Sequence, residues 1–307
     1  MLFLLAPLVN GAAVRMFLPI QIVLIQPERF SPARALVPTA DMLYFALRRL
    51  GRMARVQVNG FLRDGANIVV GAHLLDAEVA ATLPASTIVY NTEPVGYRRH
   101  DFDALRPFAE RFAVWDYSAR NADAIVRTVP GARVRVVEAG YVPEFSRVQH
   151  RADSAKDIDV IFFGHASPRR QAVLDALAAS GLVVRHFGDT YNLELDPWLG
   201  RSKLVLALQF EPGSPFAVGR IVRALSNRCA VVVEHAAGDD VPVDLAPGLA
   251  LAGRGNIVEV CRGLVSDDAA RNALAERGFA CMKRRDFTVT LGAAVASTSI
   301  FQEILRA

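Results

Sequence analysis

The chain has 307 residues, enough for about two domains at roughly 150 residues each. Hydrophobic residues make up 52% and charged residues 21%, with 21 glycines and 16 prolines, which excludes a disordered chain, a collagen and a coiled coil. The formal net charge is +4, yet Lys156, Lys203 and Lys283 are the only lysines among 35 basic residues, and the arginines are scattered along the sequence, which points to anionic small ligands and away from nucleic acid.

The first nine residues, Met1 to Val9, are apolar but lack a basic flank, and the next apolar run is broken by Arg15 and Pro19. Residues 1–15 therefore read as an extension upstream of a start at Met16. No window reaches about 18 uninterrupted apolar residues, so no spanning helix is expected. Cys229, Cys261 and Cys281 lie in apolar stretches without metal-ligand spacing, which suggests free thiols, no metal site and a cytoplasmic protein.

Strand-like runs then alternate with helical ones. Ile20–Ile25, Arg55–Val58, Ile68–Val70, Thr87–Tyr90, Arg111–Trp115 and Arg133–Val137 read as strands, with helices predicted over Asp41–Leu50, Asp76–Leu83, Phe102–Glu110 and Ser118–Thr128. This alternation predicts parallel strands joined by crossover helices. Between Val142 and Lys156 the sequence turns polar and loses its period, as in an exposed linker between two separately cored domains. The pattern restarts with strands at Asp159–Phe163, Val183–Phe187, Leu204–Leu208 and Ala230–Glu234 and helices at Pro168–Ser180, Leu193–Gly200 and Pro215–Asn227. The rest, from Ile257, reads mainly helical, with Asp267–Arg285 and Val289–Leu305 long enough to cross between domains.

Ligands of parallel sheets sit outside the carboxyl ends of the strands, where helix N-termini offer backbone N–H groups to anions. Two places fit. The first is Phe163-Gly164-His165-Ala166-Ser167-Pro168-Arg169-Arg170, a strand end, a glycine, a Ser-Pro helix start and paired arginines. The second is Gln209-Phe210-Glu211-Pro212-Gly213-Ser214-Pro215, again ending in Ser-Pro. Ser-Pro is also simply a good way to start a helix, but two such starts on successive strands favour phosphate binding. On the second helix Val218, Val222 and Leu225 form the apolar stripe, and Arg220, Arg223 and Asn227 share another face, from which Arg220 reaches back toward a bound anion. Glu234 closes its strand on the same rim, placed either for sugar hydroxyls or as a cap. In the first half His73, Glu93 and Asp116 follow strands and are acid/base candidates. Each has a structural alternative: a loop carbonyl for His73, the turn over Asn91–Pro94 for Glu93, and the cap of the next helix for Asp116, which fits the last best. No dinucleotide or P-loop glycine motif, nucleophile elbow, HExxH or DxD pair is present.

The stretches Ile88-Val89-Tyr90-Asn91-Thr92-Glu93, Val114-Trp115-Asp116-Tyr117-Ser118 with Asn121, Gly140-Tyr141-Val142-Pro143, Asp157 to Gly164 with Arg169-Arg170, and Arg220 through Asn227 to Glu234 occur in one order. In this the chain resembles bacterial GT-B glycosyltransferases, similar to families 1 and 4, that use nucleotide-activated sugars without a metal. The resemblance spans about residues 68 to 234. It implies an α/β fold of two Rossmann-like parallel-sheet domains facing a cleft: an acceptor domain over 1–145, a nucleotide-sugar domain over 156–285 and a crossover helix over 286–307. It also implies donor contacts from Gly164, Arg169, Arg170, Ser214, Arg220 and Glu234, and catalysis by Glu93 with His73 second. The implied reaction moves a sugar from a nucleotide diphosphate to a hydroxyl of a surface-glycan precursor or a protein, with no cofactor beyond the nucleotide sugar, no nucleic acid and a peripheral association with the membrane. One departure stands out. Relatives tend to show Phe-Glu where this chain has Phe216-Ala217, and Arg223 stands where many GT-B enzymes place a ribose-binding glutamate. The alternatives are therefore a non-catalytic nucleotide-sugar-binding or scaffold protein, or a sugar-nucleotide epimerase.

Overall fold

The computed structural model describes residues 19–95, 102–210, 216, 218–236, 239, 241–299 and 301. The first sheet has six parallel strands, β1 (Ile20–Leu24), β2 (Ala54–Val58), β3 (Ala66–Val70), β4 (Thr87–Asn91), β5 (Ala113–Asp116) and β6 (Val134–Val136), in the order β2-β1-β3-β4-β5-β6. β1, β3 and β4 are buried on both faces, which is why they read as mainly apolar runs instead of alternating ones. Helices α1 (Val37–Arg49), α2 (Arg106–Ala109) and α3 (Ala119–Thr128) connect them. Two predicted helices are shorter than their periodicity suggests. Pro84 disfavours helix at the residue before it, and the stretch over 76–83 is only a 3-10 turn, Ala77–Ala81. Pro107 sits in the first turn of α2 and fixes its start, so the predicted helix over 102–110 contracts to one turn.

The second sheet contains β7 (Ile158–Phe163), β8 (Val184–Phe187), β9 (Ser202–Ala207), β10 (Ala230–Glu234) and the three-residue β11 (Ala250–Ala252), which the sequence pattern missed. Its order is β11-β10-β9-β7-β8, all parallel. The helices are α4 (Pro168–Ala179), α5 (Asp196–Arg201), α6 (Val218–Ser226), α7 (Ile257–Ser266), α8 (Asp268–Arg284) and α9 (Phe287–Ser297). In each sheet the strand order reverses between the first and third strand, at β1/β3 and at β7/β9. Those reversals open the crevices where doubly wound sheets bind ligands.

The segment from Val142 to Lys156 departs from the exposed linker its composition predicts. Val142 and Phe145 are buried, and the core they enter runs without a break from Ile20 and Trp115 to Phe163, Leu225 and Phe287, so the two sheets share a core between them while each keeps a separate core on its other face. The polar residues of the segment are spent on bonds. Ser146 donates to the Ser226 carbonyl at 2.7 Å, the backbone N–H groups of Arg147 and Val148 both donate to Asn227 Oδ1, and the Arg147 guanidinium holds Asp196 at 2.7 Å. Further on, Asp153 is fixed by Asn272 and by the buried Arg271. Polarity here marks anchoring.

The chain returns beside its own exit. The Tyr141 N–H donates to the Arg285 carbonyl and the Tyr141 carbonyl accepts from the Phe287 N–H, and a Cβ on Gly140 would run into the Arg285 carbonyl, so only glycine lets the two crossings touch. From there α9 packs on α1, and Thr298 accepts a bond from the Trp115 indole at 3.1 Å. The carboxyl edges of the sheets face one another. Arg34, on the loop after β1, pairs with Glu194 at 2.6 Å and lies over the Tyr191 ring, and Asn192 donates to Asp41 of α1; residues 191–194 belong to the loop after β8.

Candidate functional site

The loops after β7 and β9 form the second sheet's rim. Ser167 caps α4 by accepting from the Arg170 N–H, with Pro168 opening the helix, as the Ser-Pro motif predicts. Gly164 has φ +124°, and a Cβ there would lie 2.5 Å from Arg220 Nη2. The glycine is thus needed because the Arg220 guanidinium lies across the loop. Arg220 donates from Nε to the Phe163 carbonyl at 2.8 Å and stacks over the Phe162 and Phe163 rings. Its Nη1 is buried with no partner among the described residues. Burial and the neighbouring Arg170 push the guanidinium down to about 9, which still leaves it charged at neutral pH. An unpaired, positively charged nitrogen at a topological reversal is a seat for an oxyanion.

The other predicted donor residues divide into two sorts. Arg169 holds Glu234 at 2.5 Å and the Gln209 carbonyl at 3.0 Å, and Glu234 also accepts from the Gln209 N–H, so arginine and carboxylate neutralise each other while Arg169 Nε has no partner among the described residues. Arg170, predicted from sequence as a ligand-binding residue, is a bracket. It is buried, and its guanidinium donates to the carbonyls of His165, Leu208 and Gln209, tying the loop after β7 to the one after β9. Burial with Arg169 alongside pushes it down to about 10. Ser214 lies outside the described residues. Arg223 and Asn227, expected to share the outer face of α6 with Arg220, are both buried. Arg223 bonds Asp196 and the Asn192 carbonyl, and Asn227 clamps the interdomain segment. Arg223, which stands where the resemblance implies a ribose-binding glutamate, is thus paired inside the protein.

On the first sheet's rim, His73 follows β3 and Glu93 follows β4. The structure brings them together, with Nε2 and Oε1 3.5 Å apart, and Glu93 is the more exposed. Burial holds the imidazole below its ordinary value while Glu93 pulls it upward, so it is neutral near pH 7 and able to take a proton. Asp116 is fully buried at the end of β5. It accepts from the Ser118 N–H at 2.8 Å, bracing the start of α3, and from Asn91 Nδ2 at 2.7 Å. Burial raises its carboxyl to about 6 against these bonds. Asn91 and Asn121 stand in the stretches that carry the resemblance, but no role was assigned to them from the sequence. Asn91 and Asn121 both donate to the Glu93 carbonyl, and Asn91 Oδ1 accepts the Glu93 N–H, so the turn carrying Glu93 is held at both ends. The repeated placement of Asn after a strand and within the next helix was the available signal. Among the described residues no group of three or more His, Cys, Asp or Glu side chains is arranged to hold a metal ion, and no helix is long and apolar enough to cross a membrane.

No protein-family profile matches the sequence, and no curated protein does. Solved structures do. HepE of Anabaena, solved in complex with UDP, superposes with a TM-score of 0.60 at 13% identity over 91% of this chain and 98% of its own. AviGT4, a glycosyltransferase involved in avilamycin A biosynthesis, gives 0.59 at 15% identity over 94% and 98%, and T4 phage BGT, solved with its UDP-glucose substrate, gives 0.54 at 11% over 94% and 100%. At such identities the likeness is one of architecture: this chain adopts the GT-B fold, two parallel α/β sheets whose carboxyl edges face each other and whose C-terminal helix returns to the first.

Proposed function

We propose that the protein is a metal-independent glycosyltransferase of the kind found in families 1 and 4, moving a sugar from a nucleotide diphosphate to a hydroxyl of a surface-glycan precursor or a protein. The observation that carries this reading is Arg220, locked by the Phe163 carbonyl and the Gly164 loop with one buried guanidinium nitrogen left unpaired among the described residues, opposite a neutral His73 beside Glu93. Guanidinium groups here supply the charge stabilisation for a departing diphosphate, and the unpaired Nη1 meets a phosphate oxygen. Gly164, Arg169, Ser214 and Glu234 complete the donor region, with Arg169 and Glu234 acting as a pair and Arg170 holding the two loops in register. On the facing rim Glu93 takes the acceptor proton and His73 relays it. The domains over 1–145 and 156–285 then divide acceptor from donor, and the protein works in the cytoplasm at the membrane periphery. That several solved GT-B structures hold UDP or UDP-glucose supports the donor class.

The test is a thermal-shift screen with nucleoside diphosphates and their sugars. A ligand at about 100 times its Kd stabilises the fold by roughly 2.7 kcal/mol. Flat melting curves at millimolar ligand overturn the proposal. Binding without transfer to any acceptor assigns the chain to a non-catalytic role, in line with Arg223 standing where a ribose-binding carboxylate is expected; product without acceptor assigns it to an epimerase.

A further inference from the structure

The main chain at Glu93 is held far more closely than the Glu93 side chain. Asn91, the last residue of β4, and Asn121, in the first turn of α3, are buried primary amides, 3% and 0% exposed. Asn91 lies opposite Asp116 in the register of β4 on β5, which brings its Nδ2 to 2.7 Å from the Asp116 carboxylate. Asn121 Nδ2 reaches the same carboxylate oxygen at 3.5 Å. From this anchor both amides turn to one residue. The Glu93 carbonyl accepts twice, from Asn91 at 2.8 Å and from Asn121 at 3.0 Å, and the Glu93 N–H donates to Asn91 Oδ1 at 3.2 Å. Asn121 Oδ1 takes the Val95 N–H at 3.1 Å, and Pro94 between them keeps Glu93 to extended backbone.

Three elements thus each bury a polar side chain around a single turn. Burying two amides and a carboxylate costs free energy that apolar side chains in the same places would not. The bond from the Ser118 N–H explains Asp116 in part, as a brace for the start of α3. It does not explain the amides, because one partner per group satisfies a buried turn and the Glu93 carbonyl has two.

We propose that Asn91 and Asn121 are positioning residues for proton transfer, fixing the Glu93 main chain so that its carboxylate is presented beside His73; this rests on the role given to Glu93 above. The carboxylate itself has only Thr92 at 3.3 Å and His73 at 3.5 Å to hold it, so its place is set by the backbone from which it hangs. A base works only within hydrogen-bond reach of the proton it takes, and a misplacement of about 1 Å costs up to about 10²-fold in rate. Asp116 serves as the common anchor of the two amides.

The test is a double-mutant cycle. Asn91→Ala and Asn121→Ala are made singly and again in the Glu93→Gln protein, and UDP release from UDP-glucose is followed below the lowest melting temperature of the set. Each single substitution is expected to lower kcat about 10- to 100-fold with the donor KM within about twofold. In the Glu93→Gln protein the same substitutions should cost nothing further, since no base is left to position. Asn91→Leu and Asn121→Leu, which keep the volume, replace any alanine variant that does not fold. An unchanged kcat, or an equal loss with and without Glu93, shows that the amides serve the fold alone and overturns the proposal. A raised donor KM at unchanged kcat overturns it too, by placing them at the donor. Two controls separate this failure from that of the wider reading. If Glu93→Gln is as fast as wild type, the role of Glu93 falls and the positioning role with it; if the wild type releases no UDP, the transferase reading itself fails.

Discussion

The two carboxyl rims are built on the same scaffold, a strand-order reversal in a parallel sheet, and they end in opposite chemistry. The first sheet offers carboxylates and an imidazole: His73 and Glu93 at 3.5 Å, backed by the buried Asp116. The second offers guanidinium groups, Arg169, Arg170 and Arg220, packed among Phe162, Phe163 and the carbonyls of the next loop. They are also stiffened differently. The first rim is fixed by amide side chains that grip the Glu93 backbone, the second by backbone carbonyls that grip arginine side chains. In one case the main chain is held and the reactive side chain has only loose contacts, with Thr92 at 3.3 Å and His73 at 3.5 Å. In the other the charged group itself is clamped, and only selected nitrogens remain open. A proton acceptor needs freedom to meet its substrate, whereas a fixed charge stabilises best when it need not reorganise.

The sharpest way to break this contrast is Glu93→Gln. The amide keeps the shape without the basicity, so turnover should fall 10²- to 10⁴-fold with donor affinity nearly intact, measured by transfer rate and nucleotide titration side by side. Wild-type turnover would pass the role to His73. Next comes Arg170→Ala, which removes a buried charge that three carbonyls share. The expected loss is about 3 kcal/mol of folding stability in urea unfolding, and a variant as stable as wild type would show that the bracket is dispensable. Arg220→Ala should do the reverse, weakening nucleoside-diphosphate binding by about 1.5 to 3 kcal/mol with little change in the melting temperature.

Gly164→Ala tests the same nitrogen without touching it. Its φ of +124° and the 2.5 Å approach to Arg220 force the loop or the guanidinium to move, so donor affinity should drop toward that of Arg220→Ala. Unaltered affinity would detach Arg220 from the donor.

The smallest effect is a pH dependence on the first rim. The Asp116 carboxyl is raised by burial to about 6 from an ordinary 3.8, so the folded state holds the proton more tightly than the unfolded one between those values. Its contribution to stability is therefore greatest below about 4, declines as pH rises to about 6, by at most about 3 kcal/mol, and is level above that. Asp116→Asn should remove this slope in unfolding curves taken from pH 4 to 7; an unchanged slope would place the titration elsewhere.

How far the sequence reached differs along the chain. The mainly apolar runs of β1, β3, β4, β7, β9 and β10 made the parallel sheets legible, because burial on both faces leaves no alternative pattern. Ser167-Pro168 marked the start of α4 for the same local reason, a cap and a fixed φ. Arg170 and Arg220 looked alike in sequence, as arginines near helix starts, and differ in how many carbonyls reach them, three for Arg170 and the Phe163 carbonyl for Arg220. The 142–156 segment misled because polar composition looks the same whether the side chains meet water or Asn227 and Asp196.

By itself, then, the sequence determined what short-range physics encodes: the alternation of strand and helix, the caps, the glycine after β7, and the stretches resembling a GT-B enzyme. The tertiary structure alone decided which charges are spent and which stay open. Arg170 and Asn227 are consumed by internal partners, Arg223 is paired with Asp196, Arg220 keeps a nitrogen without a partner among the described residues, and His73 meets Glu93 although strand β4 and a turn of 3-10 helix lie between them in sequence. The reason is that a hydrogen bond or an ion pair is satisfied by whatever lies within about 3 Å in space, and spacing along the chain sets that distance only within a turn or two of helix.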